Sequence, residues 1–276
     1  MRTLVHLSDL HFGRVDDELL APLRARVASM APHLVVVSGD LTQRARKEQF
    51  EQAARYLDTL PRPQVVVPGN HDVPLHNLYK RFVDPFKNYR RYVGDDLEPF
   101  YVDDEMAVAG VNTARSLTWK NGRINKEQLG LLQSRFEGLG TSVTKIVVTH
   151  HPFDLLQDEE RSEVVGRARM ALEAFATCGV DFLLSGHMHV THAGSTAKHY
   201  RLGDYAALSI HAGTTTSTRG RGEANSFNAL HIDGDALRLE SYAWDSATHE
   251  FQLSSSTRFS RQGRRWLEVR AQPVAP

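Results

Sequence analysis

Short apolar runs at residues 3–7, 34–37, 65–67, 146–148 and 182–184 alternate with stretches of helical periodicity. Runs this short, several of them rich in valine, suit strands buried on both faces. Between them Phe50, Ala53, Ala54 and Leu57 repeat at helical spacing. So do Leu129, Leu132 and Phe136 after a capping residue at Asn125, and Met170, Leu172, Ala174 and Phe175 before Gly179. Strand, helix, strand in this order requires crossover connections and therefore a largely parallel sheet. This constrains the chain more than any other feature, because parallel strands bring their carboxyl ends to one shared edge.

The remaining segments read differently. Alternation around Asp103, Asp104 and Glu105 predicts a hairpin over residues 100–111. After about residue 192 the helical periodicity fades, and alternating runs at 206–211, 226–232, 236–243 and 251–255 predict antiparallel strands. No linker rich in proline or glycine marks the change. The pattern predicts an α/β fold in one domain spanning 1–276, with two sheets face to face and helices outside.

Each of the five apolar runs is followed at once by metal-ligating side chains: Ser8-Asp9-Leu10-His11, Gly39-Asp40, Gly69-Asn70-His71-Asp72, His150-His151-Pro152 and Gly186-His187-Met188-His189. Singly, each block is ordinary turn composition. Together they put oxygen and imidazole donors, and no thiolate, at equivalent places in the topology, where they converge on one crevice. Asp9 and His11, like His187 and His189, are spaced by two; if extended, each pair projects from one side and reaches one centre.

Composition narrows the partners. Lysine plus arginine number 33 and aspartate plus glutamate 33, so no overall field holds a long polyanion, and no stable nucleic-acid partner is expected. A single cysteine, Cys178, excludes an internal disulfide framework. The start lacks the apolar core of a signal peptide, and the chain has no run of about 18 apolar residues. The expectation is a soluble, cytoplasmic protein.

The order Asp-x-His, Gly-Asp, Gly-Asn-His-Asp, His and Gly-His-x-His, from Leu4 to about His189, resembles the calcineurin-like metallophosphoesterase family. The later stretch from Ala212-Gly213-Thr214 through Arg219-Gly220-Arg221 to Asn225-Ser226-Phe227-Asn228 is similar to bacterial members grouped with the cyclic-nucleotide phosphodiesterases (class III). The resemblance implies a four-layer αββα sandwich of two mixed β-sheets flanked by helices. It implies two metal ions bridged by Asp40, one held by Asp9, His11, Asp40 and His189, the other by Asp40, Asn70, His150 and His187. Manganese, iron and zinc all suit such donors. In the fourth block His150 is preferred as the ligand over His151, which would then lie behind the ligands or face the substrate. The nucleophile would be a hydroxide shared by the ions, with His71 meeting the phosphoryl group or protonating the leaving oxygen. Asp72 either orients His71 or closes the turn, and the turn is favoured.

The resemblance makes the chain a phosphodiesterase for small phosphate esters, with 3',5'-cyclic nucleotides the first candidate substrate. A hydrolase of a phosphorylated lipid or nucleotide-sugar lipid intermediate, in transient membrane contact, is the second; a nuclease or a non-catalytic interaction module fits less well. Tyr79, Phe82, Phe86, Tyr89 and Val93, at helical spacing among Lys80, Arg81, Lys87, Arg90 and Arg91, predict an amphipathic helical insertion at about 73–98. It either packs on the sheet edge or caps the site and selects the substrate. Arg219 and Arg221, in a glycine-rich loop, are candidates to contact the rest of the ester.

Overall fold

The computed structural model describes residues 1–75, 78–117, 121–154, 164–218 and 222–269. The first three apolar runs form β1 (Arg2–Leu7), β2 (Leu34–Ser38) and β3 (Gln64–Val67), paired in parallel. Two helices connect them, α1 (Asp17–Ser29) and α2 (Lys47–Leu57). The insertion follows as α3 (Leu78–Val83) and α4 (Lys87–Tyr92), then the predicted hairpin as β4 (Phe100–Val102) and β5 (Met106–Gly110).

The second crossover series runs through α5 (Lys126–Phe136), β6 (Thr144–Val148), α6 (Ala168–Cys178) and β7 (Phe182–Ser185). Asn125 caps α5 as expected: its Oδ1 accepts from Gln128 N at 2.8 Å, and Gln128 Oε1 accepts in return from Asn125 N at 3.0 Å. Strands then dominate: β8 (His192–Ser195), β9 (Leu208–His211), β10 (Ser226–Asp233), β11 (Ala236–Asp245), β12 (Glu250–Gln262) and β13 (Arg265–Glu268).

These strands make a seven-stranded sheet in the order β13-β12-β11-β10-β1-β2-β3 and a six-stranded sheet in the order β4-β5-β6-β7-β9-β8. The period of two explains why the central runs are apolar throughout. Leu34 and Val36 of β2 point into the core between the sheets, where they join Ile146, Val148, Phe182 and Leu184. Val35 and Val37 point the other way, into a second core with α1 and α2. A third core lies under α5 and α6 on the far side of the six-stranded sheet. The layers are therefore helix, sheet, sheet, helix, the αββα sandwich with two mixed sheets. Burying each such valine or leucine contributes about 1.5–3 kcal/mol.

Two expectations are corrected, and one helix lies outside them. The alternation at 206–211 predicts purely antiparallel pairing, but β9 pairs in parallel with β7 and is antiparallel only to β8. Residues 73–93 do not form one helix: the pattern breaks at Asp84-Pro85, where proline removes a hydrogen bond and disfavours a helical residue before it. Its aromatic residues also divide. Phe86 and Tyr89 are buried, Tyr89 edge-on to Phe50 with ring centroids 6.3 Å apart, whereas Tyr79 and Phe82 are exposed. Helix α1 was not anticipated, its stripe of Leu19, Leu23 and Val27 being sparse and interrupted by Pro22. Among the described residues no helix is long and apolar enough to cross a membrane.

Candidate metal centre

The carboxyl ends of β1, β2, β3, β6 and β7 carry the five blocks, and their side chains meet where the two sheets share an edge. Three overlapping groups place donor atoms within 4.8 Å of one another: Asp9, His11 and His189; Asp9, Asp40 and His150; and His150, His151 and His187. Asp40 lies between the outer two. Its Oδ2 is 3.6 Å from His11 Nε2, and its Oδ1 is 3.4 Å from His150 Nε2. His187 and His189, which spacing alone would send to one centre, divide between the two groups.

Backbone conformation causes this division. Asp9, His11, Asp40, His187 and His189 have φ of 53°, 49°, 53°, 70° and 61°. These lie in the left-handed region, which residues with a Cβ enter at a cost. The short segments after the strands are therefore curled rather than extended, and each turns its side chains into the crevice. Two glycines let the blocks approach. A Cβ on Gly69 would lie 2.1 Å from Asp40 Oδ1, and one on Gly186 would lie 1.8 Å from Ser8 Oγ.

A cation fits the donors present. Asp9 is fully buried; its Oδ2 accepts from Ser8 Oγ at 2.6 Å and from His187 N at 3.1 Å, while Oδ1 has no hydrogen-bond partner. That orphaned oxygen lies 3.4 Å from His11 Nε2 and 3.7 Å from His189 Nε2, too far for hydrogen bonds of ordinary strength and apt for donors grouped around an ion. His150 gives a second sign. Its Nδ1 donates to Ser38 O at 2.8 Å, which leaves Nε2 facing Asn70 Oδ1 at 3.0 Å. Two lone pairs facing one another this closely call for a proton or a cation.

Electrostatics agree. Burial alone would raise the Asp9 carboxyl, but His189, His11 and His150 together hold it well below the usual carboxylate range. Burial also opposes ionisation of Asp40, yet His150, His71 and His11 lower it. Asp72 closes the turn. It accepts from Gly69 N at 2.9 Å, Leu41 N at 3.1 Å and Thr42 N at 2.8 Å, tying the Asp40 loop to the Asn70 loop. Burial and neighbouring Asp40 push it up to about 6 in spite of those donors.

His71 is half-buried at the same edge. Its N donates to Asp40 Oδ1 at 2.9 Å, its Nδ1 to Gln43 O at 3.0 Å, and its ring stands edge-on to His11 with centroids 5.0 Å apart. His151 is fully buried, its ring against both His150 and His187 and its Nδ1 bonded to Thr113 Oγ1 at 2.8 Å. Arg219 and Arg221 lie outside the described residues. Sequence reasoning missed the groups behind the blocks: Ser8 on Asp9, the Ser38 carbonyl on His150, Thr113 on His151 and Thr214 on His189. The run Thr214-Thr215-Thr216-Ser217-Thr218 was a legible signal, since five consecutive hydroxyls just beyond a strand's carboxyl end call for partners wherever they are buried.

Residues 2–191 match the family model described as calcineurin-like phosphoesterase. The chain is 27% identical over 172 residues to "Glycerophosphodiester phosphodiesterase GpdQ" of Enterobacter lignolyticus (strain SCF1), covering 55% of this chain and 58% of that protein. It is 24% identical over 203 residues to "3',5'-cyclic adenosine monophosphate phosphodiesterase CpdA" of Escherichia coli (strain K12), covering 67% of this chain and 69% of that one. The chain spans about three fifths of the length of GpdQ and of a further relative from Bacillus subtilis. Among solved structures, purple acid phosphatase PPD1 from yellow lupin seeds shares the fold. It has a TM-score of 0.67 at 14% identity, over 95% of this chain and 54% of that one.

Proposed function

Because the chain belongs to the calcineurin-like phosphoesterase family, we propose that it hydrolyses small phosphodiesters with two metal ions bound on either side of Asp40, and that 3',5'-cyclic nucleotides are its substrates. The observation that carries this reading is the buried Asp40, with one oxygen toward His11 and the other toward His150. Asp9, His11, Asp40 and His189 would hold one ion, and Asp40, Asn70, His150 and His187 the other. When bound, manganese, iron or zinc ions would supply Lewis-acid stabilisation of phosphoryl oxygens and a water acidic enough to attack near neutral pH.

The chain's own residues orient and exchange protons. Asp9 and Asp40 keep their negative charge inside the protein because surrounding imidazoles lower both carboxyls. His71 engages the Gln43 carbonyl through Nδ1, so the proton for the leaving oxygen would be carried on Nε2. Arg219 and Arg221 are assigned to the rest of the ester. The reading takes the chain as one domain acting in the cytoplasm, in keeping with its single cysteine.

The substrate assignment is supported by the likeness to CpdA and GpdQ, both named as phosphodiesterases. A panel with manganese tests it, comparing bis(p-nitrophenyl) phosphate, p-nitrophenyl phosphate, cyclic AMP and cyclic GMP. Diesters should be turned over faster than the monoester, and at least one cyclic nucleotide should be cleaved. A strong preference for the monoester would overturn the reading.

One observation favours a second reading, a phosphorylated-lipid or nucleotide-sugar lipid substrate met at a membrane surface. Tyr79, Phe82 and Val83 of α3 are exposed, and so is Leu117. The buried Arg81 ties α3 to the Leu117 segment by donating to Ser116 O at 2.7 Å. Sedimentation with anionic vesicles and stimulation by detergent are expected under that reading. Absence of both would remove it.

A further inference from the structure

The chain leaves β9 through Thr214, Thr215, Thr216 and Ser217, and this run lies along the loop that carries Asp9 and His11. Thr215 N donates to Ser8 O at 3.0 Å, and Thr215 Oγ1 accepts from Ser8 N at 3.0 Å. Thr216 Oγ1 donates to Leu10 O at 2.8 Å, and its carbonyl accepts from Asp16 N at 2.9 Å. Val15 and Ser217 pair as an isolated bridge. The loop is thus bonded on both sides of Asp9 to a segment more than 200 residues away in sequence.

Thr214 begins that run and is itself buried. Its Oγ1 is bonded to His189 Nδ1. His189 Nε2 is the nitrogen that lies toward Asp9 Oδ1, at 3.7 Å. An imidazole hydrogen-bonded through one nitrogen presents only the other to an ion, and the partner fixes both tautomer and ring direction. The need for a tether is greater here, because His189 stands on left-handed backbone with φ of 61°.

We propose that Thr214 is a positioning residue for the Asp9, His11 and His189 cluster, holding the His189 ring by Nδ1 so that Nε2 is presented to a metal ion. This rests on the two-metal reading given above. In that role Thr214 and its neighbours join the strand-rich C-terminal part of the chain to one cluster. The His150 ring of the other cluster is fixed instead by a backbone carbonyl of β2.

Calorimetric titration of the metal-free full chain with manganese tests the role. Wild-type protein should take up two equivalents. Thr214→Val, nearly isosteric and lacking the hydroxyl, should bind one of them about 10–100-fold more weakly and leave the other unchanged. Thr214→Ser should restore both. Two equivalents in the wild type with unchanged affinities in Thr214→Val would overturn the role of Thr214 alone, whereas a wild type that binds no manganese would overturn the two-metal reading itself. Should Thr214→Val fail to fold, nitrogen NMR of the zinc-loaded wild type decides. His189 is expected to retain Nδ1–H with zinc on Nε2, and zinc on Nδ1 would overturn the proposal.

Discussion

Strand β7 ends in buried polar groups on both sides, and the two ends are built to opposite purposes. Before it, Asp181 Oδ2 accepts from Lys145 N at 2.9 Å, and Oδ1 accepts from Trp266 Nε1 at 2.9 Å. Arg261 adds an ion pair at 3.5 Å. Beyond it lie His187 and His189 on left-handed backbone, against Asp9 with one oxygen that no hydrogen bond satisfies. Burial pushes the Asp181 carboxyl up even against its donors, whereas the imidazoles around Asp9 overcome the same burial and hold that carboxyl down. A buried carboxylate whose partners all come from the chain is a structural device; one left partly unsatisfied among several imidazoles suits the metal-ligand role proposed for Asp9. The two ends should therefore fail in different ways.

Asp40→Asn attacks the ligand-bearing end at its shared member and should have the largest effect. It keeps the shape but removes the charge facing both His11 and His150, so turnover of a diester should fall by at least about 10^3-fold. Metal content, read by elemental analysis, should fall with it. Full activity in this variant would break the comparison outright.

His71→Ala should lower kcat by about 10^2- to 10^3-fold while leaving metal content intact, as expected for a residue that exchanges a proton rather than holding an ion. Loss of metal in this variant would move His71 from proton transfer to ligation.

Asp181→Ala probes the other end. It leaves the Lys145 and Trp266 donors without their acceptor inside the protein and should cost about 1–3 kcal/mol of stability by urea unfolding. Activity and metal content at a temperature where the variant is folded should match wild type. A variant that lost activity in proportion to Asp40→Asn would show that the two ends of β7 are not independent.

What could be read in advance follows the same division. Strand runs and the blocks after them were legible, because burial on both faces writes itself as unbroken apolar sequence, and a parallel sheet fixes where the next residues go. The division of His187 from His189 came with the family resemblance and not from their spacing, since it depends on a left-handed backbone turn that spacing does not encode. The parallel pairing of β9 with β7 depends on neighbours distant in the chain, and nothing in residues 206–211 distinguishes it from the antiparallel alternative. The break in the insertion was legible at Pro85 but was outweighed by the spacing of the aromatic residues on either side. Thr214 stood in plain view among other hydroxyls; its importance comes from which nitrogen of His189 it meets, a fact of three dimensions.

The smallest expected effect tests a layer between the two ends of the sandwich. His6 and His211 are fully buried, and burial lowers His6 to about 3, aided by His211, and His211 to about 4, aided by His192. Both are therefore neutral in the folded chain at pH values where an unfolded histidine, near 6.5, begins to protonate. The unfolded state then binds the extra proton, so the stability these groups permit is complete above about pH 6.5. It falls as pH drops from there toward their folded values, at up to about 1.4 kcal/mol per pH unit for each. Urea unfolding of the chelated protein at pH 7, 6 and 5 should show this fall. His6→Asn should make it shallower by about 1 kcal/mol per pH unit, whatever the variant does to stability at pH 7. The histidines proposed as ligands contribute their own dependence, but that part is common to wild type and variant and cancels in the difference. An unchanged slope would mean that His6 takes up a proton while folded, which would place a charge beside Ser38, its partner at 2.9 Å, directly behind the carbonyl that orients His150.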